Sequence, residues 1–312
     1  MRVVSVRAVT SKVRLFRLEP LSAETLRAPT AGSHIDIEVE VAGRKEWRAY
    51  SLINGPDQKT FYEIAVQRED AGRGGSRYLH QAVNANAIVK VREPRNNFPL
   101  SDGADRYLLI AGGIGVTPIY AIARELVGGN ADIRALYCAR HKKDAAFADE
   151  FHALLGDRLE IHLDHGAADR FFDFSRVIGS RRPGEHLYMC GPNPMMTRVI
   201  RLCAEASWPS AAIHRETFDP TKGERDEPFV AHLARSGASV SVGAEMSLLD
   251  ALIEAGHEPF YDCRRGECGL CVVDLLRGDA VHRDSFLAPE DRGSKICTCV
   301  SRAADSEITL NM

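Results

Sequence analysis

The sequence has no run approaching the ~20 consecutive apolar residues that a membrane-spanning helix needs, so no bilayer span is read from it. Excess positive charge is also missing. Its 40 Lys and Arg stand against 43 Asp and Glu, a net charge of -3, where a nucleic-acid binder would show a basic stripe. There is no charged-then-apolar leader. The opening "MRVVSVRAVTSKVRLF" alternates apolar and polar residues, which reads as strands and makes cytoplasmic residence the default expectation. No internal repeat or low-complexity tract is visible.

What is present falls into three patterns. Residues 1 to about 100 hold "VVSVRAV", "VRLFRL", "HIDIEVEV", "WRAYSL", "FYEIAV" and "AIVKVRE", short β-branched or aromatic stretches separated by Gly, Pro, Asn and Asp. With one helical insertion near Ser76–Val83 they predict a small antiparallel barrel. From Arg106 strands alternate with amphipathic helices. "RYLLIAGG" leads into "TPIYAIARELVGG" and "DIRALYCAR" precedes "DAAFADEFHALLG", while "LEIHLDHG", "EHLYMCGP" and "AAIHRETF" supply further strands. That alternation predicts a parallel sheet covered on both faces. "DPTKGERDEP", residues 219–228, reads as a linker, and beyond it lies a small α+β unit with the helix "SLLDALIEAG". Residues 228–312 carry 8 Lys and Arg against 13 Asp and Glu, a local charge of -5.

Eight cysteines without a secretion signal point to a reducing compartment, where clustered thiols bind metal or do redox chemistry. Cys263, Cys268 and Cys271 stand at C-x4-C-x2-C, with Cys297 and Cys299 further on. A distant fourth cysteine completes the plant-type [2Fe–2S] spacing. Gly266 and Gly269 suit close wrapping of such a loop, with amides available to cluster sulfurs. Structural zinc is the rival, but zinc sites pair two C-x2-C knuckles, and neither His257 nor His282 has knuckle spacing. Cys297 and Cys299 lie two apart on "KICTCVSRA", so in a strand they share a face and spacing does not choose between them.

Two further motifs suit nucleotide phosphates. "AGGIGVTPI", residues 111–119, follows a strand and opens a helix, with Gly112, Gly113 and Gly115 in the turn and Pro118 in the first helical turn. "YMCGPNPMM", residues 188–196, repeats the strand–turn–helix pattern, and Cys190 at a strand end would face a ligand crevice unless it is a small core residue. In "WRAYSL", Arg48 and Tyr50 share one face of a strand, suited to a phosphate and a flat ring, and Ser51 points the other way. "GRGGSRYLH", residues 72–80, is a Gly-rich turn at a helix start, either a phosphate cradle or a surface loop.

In this order, "RAYSL", "GRGGS", "AGGIGVTP", "CGP", "CRRGECGLC", "HRDSFL" and "CVSRA" resemble the phthalate dioxygenase reductase family, which includes reductases of vanillate demethylase and carnitine monooxygenase type. The resemblance covers nearly the whole chain. It implies a multidomain fold: an FMN-binding antiparallel β-barrel of ferredoxin-reductase type (1–103), an α/β parallel-sheet NAD domain (104–220) and a C-terminal α+β β-grasp ferredoxin domain (228–312). Carried over by position, Arg48, Ala49, Tyr50 and Ser51 would contact the flavin ring and phosphate, and Ala65, Val66 and Gln67 would line the ring edge. Gly74, Gly75 and Ser76 would hold the phosphate. Thr117 would sit between flavin and nicotinamide, and Phe218 over the flavin. Gly112, Gly113, Gly115 and Pro118, with Cys190, Gly191 and Pro192, would frame NADH. Cys263, Cys268, Cys271 and Cys299 would hold the cluster, Cys297 being a departure from the family pattern. FMN is implied over FAD because the GRGGS loop and the C-terminal ferredoxin accompany FMN in this family.

The implied activity is electron transfer from NADH through FMN and [2Fe–2S] to the terminal component of a Rieske-type oxygenase, a transient partner of a monomeric reductase. No catalytic acid, base or nucleophile is expected, because the cofactors carry the chemistry. Two rivals stand beside this reading. One is a non-catalytic iron–sulfur or zinc protein that only binds nucleotide; the other is a reductase for a haem or ferredoxin acceptor. Arg140, Lys142 and Lys143 after "ALYCAR" stand where a 2′-phosphate would be read, but they also suit a solvated helix start. NADH is therefore expected to give the larger kcat/KM; a larger value with NADPH would overturn this.

Overall fold

Alternation of apolar and polar residues builds the N-terminal strands: β1 (Arg2–Ala8), β2 (Val13–Glu19), β3 (Ser33–Val41), β4 (Arg44–Ser51) and β5 (Tyr62–Gln67). They turn Val3, Phe16, Ile35, Ile37 and Ile64 inward, and α1 (Gly75–Ala82) packs Leu79 onto the same core. In this computed structural model, which describes residues 1–22, 25–55, 57–129, 131–218, 226–266, 268–284 and 286–312, they form two three-stranded sheets. These are ordered β1-β2-β5 and β4-β3-β6, where β6 is Arg95–Asn96. "AIVKVRE" is not a strand. It supplies two isolated bridges, Arg2↔Ile88 and Ile37↔Val91, that stitch the sheets together.

The α/β part follows as β7 (Arg106–Gly112), α2 (Val116–Gly128), β8 (Asp132–Ala139), α3 (Ala148–Leu155), β9 (Leu159–Leu163), α4 (Ser175–Ile178), β10 (Glu185–Cys190), α5 (Asn193–Glu205) and β11 (Ile213–Glu216). All its strands run parallel in the order β11-β10-β7-β8-β9. The helix expected over "DAAFADEFHALLG" begins only at Ala148, because Phe147 adopts a left-handed φ of 58°.

The chain divides into two compact units, Met1–Glu216 and Thr217–Met312. The barrel and the parallel sheet thus share one unit, although the sequence reads as two patterns. The physical cause is a common core. Val13, Leu15, Ile53 and Phe98 of the barrel pack in one cluster with Tyr107, Ile119 and Tyr188 of the α/β part. Polar contacts add to it: Arg124 Nη1 donates to Ile53 O (3.0 Å), Ala31 N to Glu125 Oε2 (2.8 Å) and Ser101 N to Tyr188 Oη (2.7 Å).

The second unit contains β12 (Phe229–Leu233), β13 (Ser239–Val242), α6 (Leu248–Glu254), β14 (Val272–Arg277), β15 (Ala280–Val281), β16 (Lys295–Cys297), β17 (Arg302–Ala303) and β18 (Glu307–Leu310). Its main sheet is ordered β13-β12-β18-β14-β16, with β12 and β18 parallel, and α6 packs Leu248 and Leu252 against it. Ser247 caps α6 by accepting from Asp250 N (3.0 Å) and donating to Asp250 Oδ2 (2.7 Å). Most of the expected linker, residues 219–225, lies outside the described residues.

At the N-terminal edge of the parallel sheet, Glu185 is 0% exposed. Its carboxylate takes both arms of the Arg134 fork at 2.7 Å, Arg182 Nε at 3.0 Å and Arg182 N at 3.1 Å. Burial alone would raise its pKa, but the Arg134 and Arg182 hydrogen bonds hold it below the usual value. The contribution to stability is therefore present above the unfolded carboxylate pKa and lost as pH falls through the folded one. Glu185→Ala would leave Arg134 without a carboxylate and Arg182 with Asp132 alone, and about 3–5 kcal/mol of unfolding free energy should be lost in a denaturant titration at pH 7. A loss below about 1 kcal/mol would contradict this account.

Candidate cofactor sites

In the parallel sheet the chain passes from β7 outward through β8 and β9, then returns to the other side of β7 with β10 and β11. The reversal leaves a crevice at the carboxyl ends of β7 and β10, where open α/β sheets bind nucleotides. Both Gly-rich turns lie there, and they interlock. A Cβ on Gly115 would strike the Cys190 carbonyl, one on Gly112 would lie 2.7 Å from Pro192 Cδ, and one on Gly191 would lie 2.5 Å from Met195 Cε. Gly113 has open space around it. Thr117 is buried in the first turn of α2 beside Pro118, and its hydroxyl donates to Ile114 O (3.0 Å).

Cys190 does not face the crevice. It is 0% exposed, and burial, with a smaller effect of Glu216, pushes its thiol pKa far up. The sheet register sets Cys190 beside Glu216 on β11. Glu216 is buried and receives Ser51 Oγ at 3.4 Å. This is the polar link from the barrel strand to the nucleotide crevice, and sequence reasoning did not single it out. The signal was a carboxylate at the end of a strand whose neighbours end in ligand turns.

On β4, Arg48 lies against the amino end of α1, where a Cβ on Gly75 would come within 2.6 Å of Arg48 Cγ. Gly74, at φ 84°, caps that helix. Arg48 Nη2 donates to Arg73 O (3.2 Å) and pairs with Glu46, while its Nε is buried without a hydrogen-bond partner. Tyr50 is partly buried, and desolvation raises its pKa against the opposing fields of Arg48 and Arg73. Ala49 lies between them on the strand. Ser76 Oγ accepts from Glu69 N (3.0 Å), closing the loop before α1. On β5, Ala65 packs in the core shared with the α/β part, Val66 packs in the barrel core, and Gln67 is partly exposed. Phe218 is 40% exposed and belongs to the second unit.

In the second unit Cys271, Cys297 and Cys299 are buried together with Leu249 and Val300, while Cys263 and Cys268 are partly exposed. Cys297 and Cys299 do not share a strand. β16 ends at Cys297, and the chain turns there, with Val300 N and Ser301 N donating to Cys297 O (3.3 and 3.0 Å). Both thiols nonetheless donate to Cys271, which pulls its pKa down to about 3. Facing that thiolate, and buried, Cys297 and Cys299 have raised pKa values. One loop amide reaches sulfur, that of Arg265, to Cys263 Sγ at 3.4 Å. Gly266 and Gly269 both take φ 75°, and Gly269 lies against the Phe286 ring. Among the described residues no single-ion ligand group of three or more His, Cys, Asp or Glu is formed.

Comparison with known proteins decides the family. The chain matches the 2Fe-2S iron-sulfur cluster binding domain over residues 231–304, the dimethylamine monooxygenase subunit DmmA-like N-terminal domain over 87–213, and the oxidoreductase FAD-binding domain over 1–99. It is 35% identical to phthalate dioxygenase reductase of Burkholderia cepacia, covering 100% of this chain and 97% of that protein. The chain belongs to the phthalate dioxygenase reductase family. A solved structure of phthalate dioxygenase reductase, described as a modular structure for electron transfer from pyridine nucleotides to [2Fe-2S], superposes with a TM-score of 0.73 at 34% identity, covering 100% and 97% of the two chains. The heme-dependent oxidative N-demethylase beta subunit of Ectopseudomonas mendocina is 38% identical over 100% of this chain and 98% of its own.

As a family member the chain is an oxidoreductase with flavin, NADH and [2Fe–2S] as its cofactors. Its residues fit them. The buried Arg48 Nε at the amino end of α1 suits a flavin phosphate, the interlocked glycine turns suit a dinucleotide, and the clustered thiols supply soft sulfur donors.

The two candidate fourth ligands can be separated by mutation. Cys299→Ser is expected to remove or severely destabilise the cluster while sparing flavin reduction by NADH. Cys297→Ser should keep iron content and visible spectrum near normal. The reverse pattern would assign the ligand to Cys297.

Proposed function

We propose that this chain carries electrons from NADH through FMN and one [2Fe–2S] cluster to the terminal component of an oxygenase. The observation that carries the reading is the placement of the Arg48–Ser51 strand and both Gly-rich turns in one unit, linked by Ser51 and Glu216. When bound, flavin accepts a hydride from NADH and passes electrons on singly, and the cluster holds one electron at a time.

The chain supplies position and electrostatics. Gly112, Gly113, Gly115 and Gly191 admit a pyrophosphate close to backbone, with the amino end of α2 directed at it. Arg48 and the Gly74–Ser76 turn would hold the FMN phosphate, Tyr50 would contact the flavin ring, and Ala65, Val66 and Gln67 would border its edge. Thr117 separates the flavin and nicotinamide subsites. Ser51 and Glu216 would fix the polar wall between them, and Pro192, with the backbone of Cys190, would close its side. Cys263, Cys268, Cys271 and Cys299 ligate the cluster. The three functional segments are 1–103, 104–220 and 228–312, in a monomeric cytoplasmic protein that meets its partner transiently.

The sequence-based choice of acceptor is a Rieske-type oxygenase. The DmmA-like match over 87–213 and the relative named as a heme-dependent oxidative N-demethylase beta subunit favour a second reading, in which the acceptor is a haem demethylase. In either case the local charge of -5 over residues 228–312 should steer a basic partner surface.

Reconstitution tests both points. Heat-released flavin is expected to be FMN, and NADH consumption should couple to product formation with a cognate oxygenase component. Coupling with the haem component and none with a Rieske component would select the second reading. Absence of flavin from protein purified without added cofactor, with iron present, would sink the reductase reading. Coupled turnover should fall as ionic strength rises, and a flat salt profile would count against electrostatic steering.

A further inference from the structure

Asp226 lies inside the expected linker, the first residue described after 219–225, and it is not a solvated loop charge. Its carboxylate takes both arms of the Arg283 guanidinium, with Nη1 to Oδ2 at 3.0 Å, and Arg302 Nε lies 3.9 Å from Oδ1. Arg302 is itself only 4% exposed. Its guanidinium donates to the carbonyls of Glu227 (3.0 Å), Gly243 (2.9 Å) and Met246 (2.5 Å), and it lies over the Phe229 ring. Asp226, Glu227 and Phe229 are therefore fastened by two arginines from later in the chain.

Both arginines belong to the segments that support the cluster loop. Arg302 stands three residues after Cys299, and Val281↔Arg302 pairing on β15 and β17 brings Arg283 alongside. Arg283 N donates to Ser301 Oγ (3.2 Å), Ser301 Oγ donates to Asp284 Oδ1 (3.0 Å), and Asp284 Oδ2 accepts from Leu287 N (2.8 Å). Asp284 is buried, and the loop rests on it: a Cβ on Gly266 would lie 2.8 Å from Asp284 Cα and 2.7 Å from Val300 Cγ2. A continuous polar path thus runs from Asp226 to the floor beneath Gly266, between Cys263 and Cys268.

We propose that Asp226 is a positioning residue for the iron–sulfur centre: clasped by Arg283 and Arg302, it holds the Asp284–Ser301 floor against the cluster loop and so sets the cluster's reduction potential. The proposal rests on the [2Fe–2S] reading of the cysteines. Loss of the carboxylate leaves the positive field of two arginines less compensated near the cluster, which favours the reduced state, and it releases the Arg283 side chain that steadies the Ser301–Asp284 floor, which loosens the loop.

The test uses the full-length holoprotein with Asp226→Asn, Asp226→Ala and Asp226→Glu. Iron content and heat-released flavin are measured first in the unsubstituted protein, where an absent cluster would sink the [2Fe–2S] reading itself, and then in the variants, whose potentials are read on the bound cluster. In Asp226→Asn the reduced-to-oxidised cluster ratio at fixed potential should rise at least threefold, about 28 mV for a one-electron couple. Iron loss to a chelator should quicken in both Asp226→Asn and Asp226→Ala. Asp226→Glu should restore the ratio, and NADH reduction of the flavin should stay within twofold in all three. An unchanged potential and chelator rate in a folded Asp226→Asn protein would overturn the proposal. So would a shift that Asp226→Glu fails to reverse, since that would mark loss of packing.

Discussion

The crevice depends on how closely two strand ends can approach. After β7 the backbone must pass against the Cys190 carbonyl and the Pro192 ring, with no room for a side chain at Gly115 and almost none at Gly112 or Gly191. This steric constraint fixes the spacing of the two turns, and the turns fix where a dinucleotide can lie. The buried Cys190 follows from it. A strand end drawn so tightly against its neighbour leaves the thiol in the core and only the backbone at the crevice.

A second constraint joins the barrel to the sheet. The shared cluster containing Leu15, Ile53, Phe98, Ile119 and Tyr188 means that the barrel and the parallel sheet are parts of one solid. Hydride transfer demands such fixity, because reacting atoms must meet within a few tenths of an ångström. The iron–sulfur lobe has a separate core, built on Phe229, Leu252, Ile296 and Ile308. Single-electron transfer tolerates more latitude in geometry, so the division into two units matches the demands of the two chemistries.

Much of this was legible in the residues. Alternation placed β1 to β5, and strand–helix alternation placed the parallel sheet, because each pattern is the burial pattern of its element. C-x4-C-x2-C marked the cluster loop. What escaped was set by tertiary context. "AIVKVRE" has strand composition but lies across both sheets and pairs at two isolated points. Phe147 delays α3 through a backbone angle that composition does not encode. "KICTCVSRA" reads as a strand, yet the chain turns after Cys297, so the same-face argument for Cys297 and Cys299 fails, and it is the turn that brings both sulfurs to Cys271. Glu216 was invisible because its partner, Ser51, lies 165 residues away.

The cap of α6 has a consequence beyond the helix. Asp250, which closes the cap with Ser247, also receives Arg264 Nη1 at 2.8 Å, and Arg264 lies over the Tyr261 ring. A residue of the helix's first turn therefore also holds the cysteine loop between its first two thiols. Fraying of that first turn would loosen the metal-binding loop at the same moment, so the two share one local opening equilibrium. Amide protons at the start of α6 should then exchange in step with the escape of iron, making a surface helix the gauge of how firmly the metal is kept.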